Sequence, residues 1–291
     1  MPPGWVARIF AHAPWKMVPA KDERIRIQVA TSMKWVLTRV TFLVPGLSHG
    51  TFEQLVFRVY QELAKELAMR RAHHPVRLWA FIPDIHFQTT SGLDRYKVFN
   101  AGRFAAFVDW FGGVEALRMV PAGTCVGWGE SEFALYCLSS LSPGTPVGNP
   151  RQIPSYRYSK RYGPQPPCFA RATRLHIQDE PLTLLVAGTA SICGEDSLHE
   201  SRVKEQTCET FRNLASVARS AFGPRSSRIA NEDVLEVYRF LRVYYSNPAD
   251  LETITSLVIG RFRHAEEIEF VQATLCRPEL LVEIEGLAKA F

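Results

Sequence analysis

Ten of the 29 residues from Ser139 to Pro167 are proline or glycine, and neither a helix nor a long strand can run through such a stretch. The 291-residue chain is therefore divided near its middle, with regularly patterned segments on either side. We place the boundary at 145, giving one α+β domain over 1–145 and a second over 146–291. Composition alone would make the divider a linker. Yet Tyr156, Tyr158 and Tyr162 are interleaved there with Arg151, Arg157, Lys160 and Arg161, a mixture too aromatic for a flexible tether. An ordered loop that lines a site fits better, since long structureless loops in compact domains are usually functional.

Hydrophobic residues make up 46% of the chain and charged residues 22%, which supplies a sizeable core. The net charge is +5, but lysines and arginines are scattered among 29 acidic residues with no basic stripe. That distribution argues against a nucleic-acid partner and suits a small anionic one. The six cysteines form no C-x-x-C pair, so neither a zinc site nor a disulfide framework is expected, and reduced thiols point to the cytoplasm. Prolines and charges interrupt Met1 to Lys34 where a signal peptide needs an apolar run. No apolar stretch reaches the ~20 residues that span a bilayer, so no membrane partner is expected.

Periodicity assigns most of the remaining chain. Val36 to Val44 is β-branched and aromatic and reads as a strand stopped by Pro45-Gly46. From Thr51, apolar residues recur at three and four positions (Phe52, Leu55, Val56, Val59, Tyr60, Leu63), the pattern of a helix covering a sheet. Val76 to Ile82 reads as the next strand. A second helix carries Tyr96, Phe99, Arg103, Phe107 and Trp110 on one face, which sets an arginine inside an aromatic stripe. Such an arginine calls for an anion, either a nearby Asp or Glu or something bound; a head snorkelling to the rim is the other reading. Pro121 to Gly129 reads as a glycine-punctuated strand and Leu182 to Ile192 as a buried one. A helix is expected over Leu198 to Phe222, and a further helix capped by Asn231 with Val234, Val237, Leu241 and Tyr244 as its stripe. Strands at Glu252 to Ile259, Glu267 to Cys276 and Leu280 to Glu285 complete the set. The alternation predicts an α+β fold of mixed sheets with helices packed on one face.

No nucleotide loop, zincin or serine-hydrolase motif is present. His73, His74 and His199 lack partners at ligand spacing, so no metal is expected. Periodicity alone places Glu283 and Glu285 on the solvent side of a half-exposed strand.

The segment from Asn149 to Ala172, NPRQIPSYRYSKRYGPQPPCFARA, is similar to the signature loop of the chorismatase family, members of which are also described as pteridine-dependent dioxygenases. Four more blocks agree in order: FIPDI with GLDRYKVFNAGRFAAF, PAGTCVG, GTASICG followed by Gln206, Glu209 and Asn213, and LCRPELLVEIEG. Together they run from Phe81 to Gly286, while the first eighty residues carry no such resemblance. The family implies two halves of YjgF and chorismate-mutase-like topology, the second half (146–291) being catalytic, and a site between the halves. It implies cleavage of chorismate to pyruvate and an aromatic or dihydroaromatic acid, with no metal and no cofactor, by a monomer or weak oligomer.

On that resemblance Glu283 is the proton donor, a role that needs a carboxyl kept protonated by burial. Arg103, Tyr162 and Arg171, with Arg151 as a weaker candidate, would grip the substrate carboxylates. Cys276 and the small Gly188 resemble the pair in members that make 3-hydroxybenzoate, the product expected here; 4-hydroxybenzoate and a dihydroxycyclohexadiene carboxylate are the alternatives. Two departures stand out. Glu195-Asp196 follows GTASICG where the family has a His-Glu pair, and Pro154 and Ser159 are substitutions within the signature loop. A non-catalytic binder of dianions and an imine hydrolase of the YjgF-like kind are the competing functions.

Overall fold

The structure, a computed structural model, describes residues 1–90, 92–178, 180–223 and 233–290. Along the chain run α1 (Gly4–Ile9), β1 (Lys16–Val18), β2 (Arg26–Thr31), β3 (Trp35–Leu43), α2 (His49–Ala68), β4 (His74–Pro83), α3 (Arg95–Phe111), β5 (Ala122–Trp128), β6 (Glu132–Ser140) and β7 (Thr145–Val147). They are followed by β8 (Ala172–Leu175), β9 (Thr183–Ala190), β10 (Ile192–Cys193), β11 (Asp196–Ser197), α4 (Val203–Phe222), β12 (Tyr238–Tyr245), α5 (Leu251–Arg261), β13 (Glu267–Gln272), β14 (Thr274–Leu275) and β15 (Val282–Lys289). None of the described helices is long and apolar enough to cross a membrane.

Two mixed sheets result. The first has the order β1-β2-β3-β6-β4-β5-β14 and the second β13-β12-β15-β9-β8-β7. Each contains one parallel pair, β4 with β5 and β12 with β13, among antiparallel neighbours. The amphipathic α2 and α3 cover one face of the first sheet, burying Phe52, Leu55, Val59 and Phe107 against Leu78, Ala80 and Phe133. The α4 and α5 helices cover one face of the second, with Leu214, Val217, Ile254 and Val258 against Val186, Val243 and Ile284. A third cluster joins Trp79, Phe81 and Tyr136 of the first sheet to Leu185, Tyr244 and Leu287 of the second, with Trp5 and Val6 of α1 beside them. The sheets therefore meet face to face between two helical layers, and a strand of the second is apolar on both sides.

That arrangement explains where the sequence pattern misled. The expected helix with Val234, Val237, Leu241 and Tyr244 is instead one 3-10 turn, Asp233–Val237, and then β12; its cap, Asn231, lies outside the described residues. Flanked by β13 and β15 and packed above and below, β12 buries Leu241, Arg242, Val243 and Tyr244 in succession, so no period of two survives. Glu252 to Ile259 is the converse case. Its β-branched residues suggest a strand, but α5 forms there, since Ile254 and Val258 lie one turn apart and both bury against the second core. Asn247, whose Oδ1 accepts from the Ala249 N–H, and Pro248 open that segment and were its readable start signal.

Candidate active site

Glu283 does not face solvent. It sits on β15, in the middle of the second sheet, and is only 5% exposed. Its carboxyl lies on the wall of a cavity of about 210 Å³ built from both halves: Arg103 of α3, Gly123 and Cys125 of β5, Tyr162 and Arg171 of the central loop, Gly188 and Ala190 of β9, and Cys276 and Arg277 beyond β14. Among the described residues no group hydrogen-bonds to that carboxyl. Burial is the main force on its proton, the Glu285 charge the second, and together they outweigh Arg77, Arg171 and Arg277 to push its pKa up to about 8.

A bulge makes room for it. Ile284 pairs with Thr189 but Gly286 pairs with Val186, so β9 carries one extra residue around Gly188. A methyl group on Gly188 would come within 1.9 Å of Glu283 Oε1, so any larger residue there must displace the Glu283 carboxyl. Glycine at 188 thus fixes where that carboxyl lies. The freed Gly188 N–H donates to Thr124 Oγ1 at 2.8 Å and the Ala187 N–H to the Arg171 carbonyl at 2.9 Å.

Two buried arginines of the cavity are held by neutral groups, whereas Lys97 and Arg161 on its wall pair with Asp94 and Asp196. Arg103 is 4% exposed, its Nη2 donating to Asn100 Oδ1 at 2.7 Å and its guanidinium carbon 4.6 Å from the Phe99 ring centre. Both Arg103 Nε and Asn100 Nδ2 are buried donors without an acceptor among the described residues. Arg171 donates to Tyr158 Oη at 2.6 Å and to the Ile153 carbonyl at 3.2 Å. Neither arginine has an acidic partner among the described residues, so the expected Asp or Glu neighbour of Arg103 is not found, nor does its head snorkel to the rim. Arg277, overlooked in the LCRPELLVEIEG block, stacks 3.9 Å from the Tyr162 ring centre, and its Nη1 donates to the Glu195 carbonyl and Ser197 Oγ. Tyr162 also stacks on Tyr158 with ring centres 5.4 Å apart.

Cys276 borders the cavity with its thiol pushed up to about 12, chiefly by burial and then by Glu283, so it is a neutral wall rather than a thiolate. Arg151 is placed elsewhere. Its guanidinium is engaged by the Glu209 carboxylate and by Asn213 Oδ1 at 2.9 Å, and it does not border the Glu283 cavity. Composition could not reveal this, since the partner lies 58 residues away. The neighbouring motif residues have structural work: Asn213 Nδ2 donates to the Ala190 and Ile192 carbonyls, and Gln206 ties α4 to Leu281 N and the Glu279 carbonyl.

The central loop is ordered, as its aromatic content implied. Ser155 Oγ bonds the Phe169 backbone at both its carbonyl and its N–H, and Gln152 reaches the Ile192 carbonyl. Glu195 accepts from both the Ser159 N–H at 2.7 Å and Ser159 Oγ at 2.6 Å, and Arg161 pairs with Asp196. The departures read in the sequence are therefore partners of one another, and the Glu195-Asp196 pair fastens the loop without bordering the cavity.

Fold and site define a two-sheet α+β protein with a buried carboxyl and several guanidinium groups around one cavity. Comparison with known proteins narrows the class. A family model described as "Chorismatase FkbO/Hyg5-like, N-terminal" matches residues 15–139, which includes the part of the first eighty residues where the sequence motifs had been silent. A "3-hydroxybenzoate synthase" of Streptomyces hygroscopicus is 33% identical over 219 residues, 72% of this chain and 62% of that protein. A "Chorismatase" of Streptomyces rapamycinicus is 29% identical over 214 residues, covering 72% and 63% respectively. The chain thus spans somewhat under two thirds of the length of these curated relatives. The crystal structure of a chorismatase superposes with a TM-score of 0.76 at 26% identity, covering 94% of this chain and 80% of that one. A smaller solved protein, a YjgF/YER057c/UK114 family member from Mycobacterium tuberculosis, matches 42% of the chain at 23% identity with a TM-score of 0.31. Residues 15–139 thus match the N-terminal domain of chorismatases, and the chain as a whole is similar to chorismatases in sequence and fold.

Proposed function

We propose that this protein is a chorismatase that releases pyruvate from chorismate and leaves 3-hydroxybenzoate. The observation that carries the reading is the pairing of a buried, cavity-facing acid, Glu283, with arginines that have no acidic partner of their own. Chorismate is a dianion with an enol ether. Arg103 and Arg171, with Arg277 nearby, supply positive charge for its two carboxylates, and Tyr162 a hydroxyl. The raised Glu283 pKa keeps its proton available at neutral pH. Transfer of that proton to the methylene carbon turns the enol ether into an oxocarbenium ion. The ring hydroxyl then attacks the ether-bearing ring carbon, the carbon–oxygen bond breaks, pyruvate leaves, and the hydroxyl proton returns to the Glu283 carboxylate. The resulting arene oxide opens to the hydroxybenzoate, so that substrate atoms equal product atoms with no water consumed.

Three features support 3-hydroxybenzoate over the other products. Gly188 and Cys276 border the acid, the fastened loop lines the cavity, and the relative named for that product is 33% identical. Residues 1–145 and 146–291 serve as the two domains, with β14 of the second joining the edge of the first sheet beside β5. We place the protein in the cytoplasm as a monomer or weak oligomer, without a nucleic-acid partner. The test is pyruvate release from chorismate, followed with lactate dehydrogenase and NADH, with the aromatic product chromatographed against authentic 3- and 4-hydroxybenzoate. Pyruvate at the spontaneous rate would leave a dianion binder. A 4-hydroxybenzoate or dihydrodiol peak would reassign the product.

A further inference from the structure

Behind Glu283 lies a second carboxylate that faces no cavity. Glu285 is 1% exposed and lies in the layer between the two sheets, where it accepts from Arg77 Nη2 at 2.6 Å, Trp79 Nε1 at 3.0 Å, Tyr244 Oη at 3.2 Å and Thr124 Oγ1. Every described bond at its carboxyl is accepted, the pattern of an ionised group. A buried ion pair of this kind is a poor source of stability, because desolvation cancels most of its attraction, and apolar residues of the same volume would hold the layer as well. Its retention between apolar neighbours therefore needs another reason. The hub is Thr124. Its oxygen donates to Glu285, accepts from Arg77 Nη2 at 2.5 Å, and accepts from the Gly188 N–H at 2.8 Å. The peptide so held is the bulged one beneath the Glu283 carboxyl.

We propose that Glu285 is a positioning residue for the reaction: through Thr124 it fixes the Gly188 bulge that seats Glu283, and its buried charge keeps the proton on Glu283. This rests on Glu283 being the acid. The charged and titratable groups that face Glu283 are Glu285 on its own strand, Arg77 on β4, Cys125 on β5, Arg171 before β8, and Cys276 and Arg277 after β14. The arginines favour its ionisation, and the neutral thiols of Cys125 and Cys276 carry no charge to oppose that; after burial itself, Glu285 is the strongest influence toward retention of the proton. Arg77 opposes it more weakly than Glu285 promotes it, so the pair acts on Glu283 as a net negative charge.

The experiment is titration of the Glu283 carboxyl by carbon NMR in protein labelled with ¹³C-glutamate, the signal being assigned by its loss in Glu283→Gln. It needs no substrate. Wild type should show a midpoint near 8. In Glu285→Gln the midpoint should fall by about one pH unit or more, because a negative neighbour is lost and Arg77 is left unopposed. Since that variant strands a buried cation, Arg77→Met/Glu285→Gln is the fold-safe companion, with a smaller fall expected. An unmoved midpoint in whichever of these folds overturns the electrostatic part. Thr124→Val leaves both charges in place and should lower kcat by roughly tenfold or more with KM kept within about threefold, since misplacing a catalytic group is felt in the rate. A wild-type kcat in Thr124→Val overturns the positional part. If chorismate is not a substrate while the midpoint still moves, it is the assigned reaction that fails, not the coupling.

Discussion

The layer between the sheets and the cavity at its side both bury arginines, and they treat them in opposite ways. Arg77 and Arg242, in or beside the layer, are ion-paired with Glu285 and Glu269, and Arg151, behind the central loop, with Glu209. Arg103 and Arg171, on the cavity, bond an amide, phenols and a carbonyl, and no carboxylate among the described residues. A guanidinium cannot shed its proton to escape the cost of burial. The layer meets that cost with carboxylates of its own, while the cavity leaves it to be met by a bound anion. Of the two buried glutamates of β15, the one in the layer holds all the donors and the one in the cavity holds the proton.

Arginine truncations break this contrast most strongly. Arg77→Met strands Glu285 without its partner, which should cost about 3–5 kcal/mol, or roughly ten degrees of melting temperature. Arg171→Met and Arg103→Met strand no charge, only neutral acceptors such as the Tyr158 hydroxyl and Asn100 Oδ1, and should cost less stability than Arg77→Met while raising KM for chorismate about tenfold or more. Equal losses of stability in Arg77→Met and Arg171→Met would erase the distinction. Next comes Glu283→Gln, expected to lower kcat on the order of a hundredfold with KM little changed. It carries a stability signature as well. A carboxyl raised from its ordinary 4.5 to about 8 stays protonated in the folded chain while the unfolded chain ionises, so wild type loses stability as pH rises between those values. Glu283→Gln does not, and its melting temperature should gain on wild type across that window.

Gly188→Ala sharpens the contrast more gently. The methyl group must move the Glu283 carboxyl, and we expect kcat to fall about tenfold, with Arg-dependent binding of the dianion retained. Ser159→Ala removes one of the two bonds from Ser159 to the Glu195 carboxylate on an exposed part of the loop. Since exposed contacts are worth ~1 kcal/mol or less, KM should rise only about two- to threefold.

Much of the outer architecture was legible because α2 and α3 each present a regular helical period to a single core, and β3 and β4 are β-branched and aromatic runs closed by prolines. The interior was not. In β12 and β15, packed on both sides, alternation disappears, so Glu283 and Glu285 looked like solvent-side residues and β12 like a helix. Arg103 could be singled out because it interrupts an aromatic stripe. Arg77, Thr124 and Glu285 could not, for they are brought together across 47 and 161 residues by the meeting of two sheets. Arg151 was misplaced because a basic loop residue gives no sign of a partner on α4. The Glu195-Asp196 pair could be read from the sequence only as a departure from the family pattern; its work is to fasten the loop through Ser159 and Arg161.

The pH dependence of kcat for pyruvate release from chorismate tests the central claim most directly. If Glu283 is the acid, held protonated by burial and by Glu285, kcat is level below about pH 8 and falls tenfold per unit above it. A kcat that is lost on passing above the ordinary carboxyl range near 4.5, or that stays level well beyond pH 8, would contradict it.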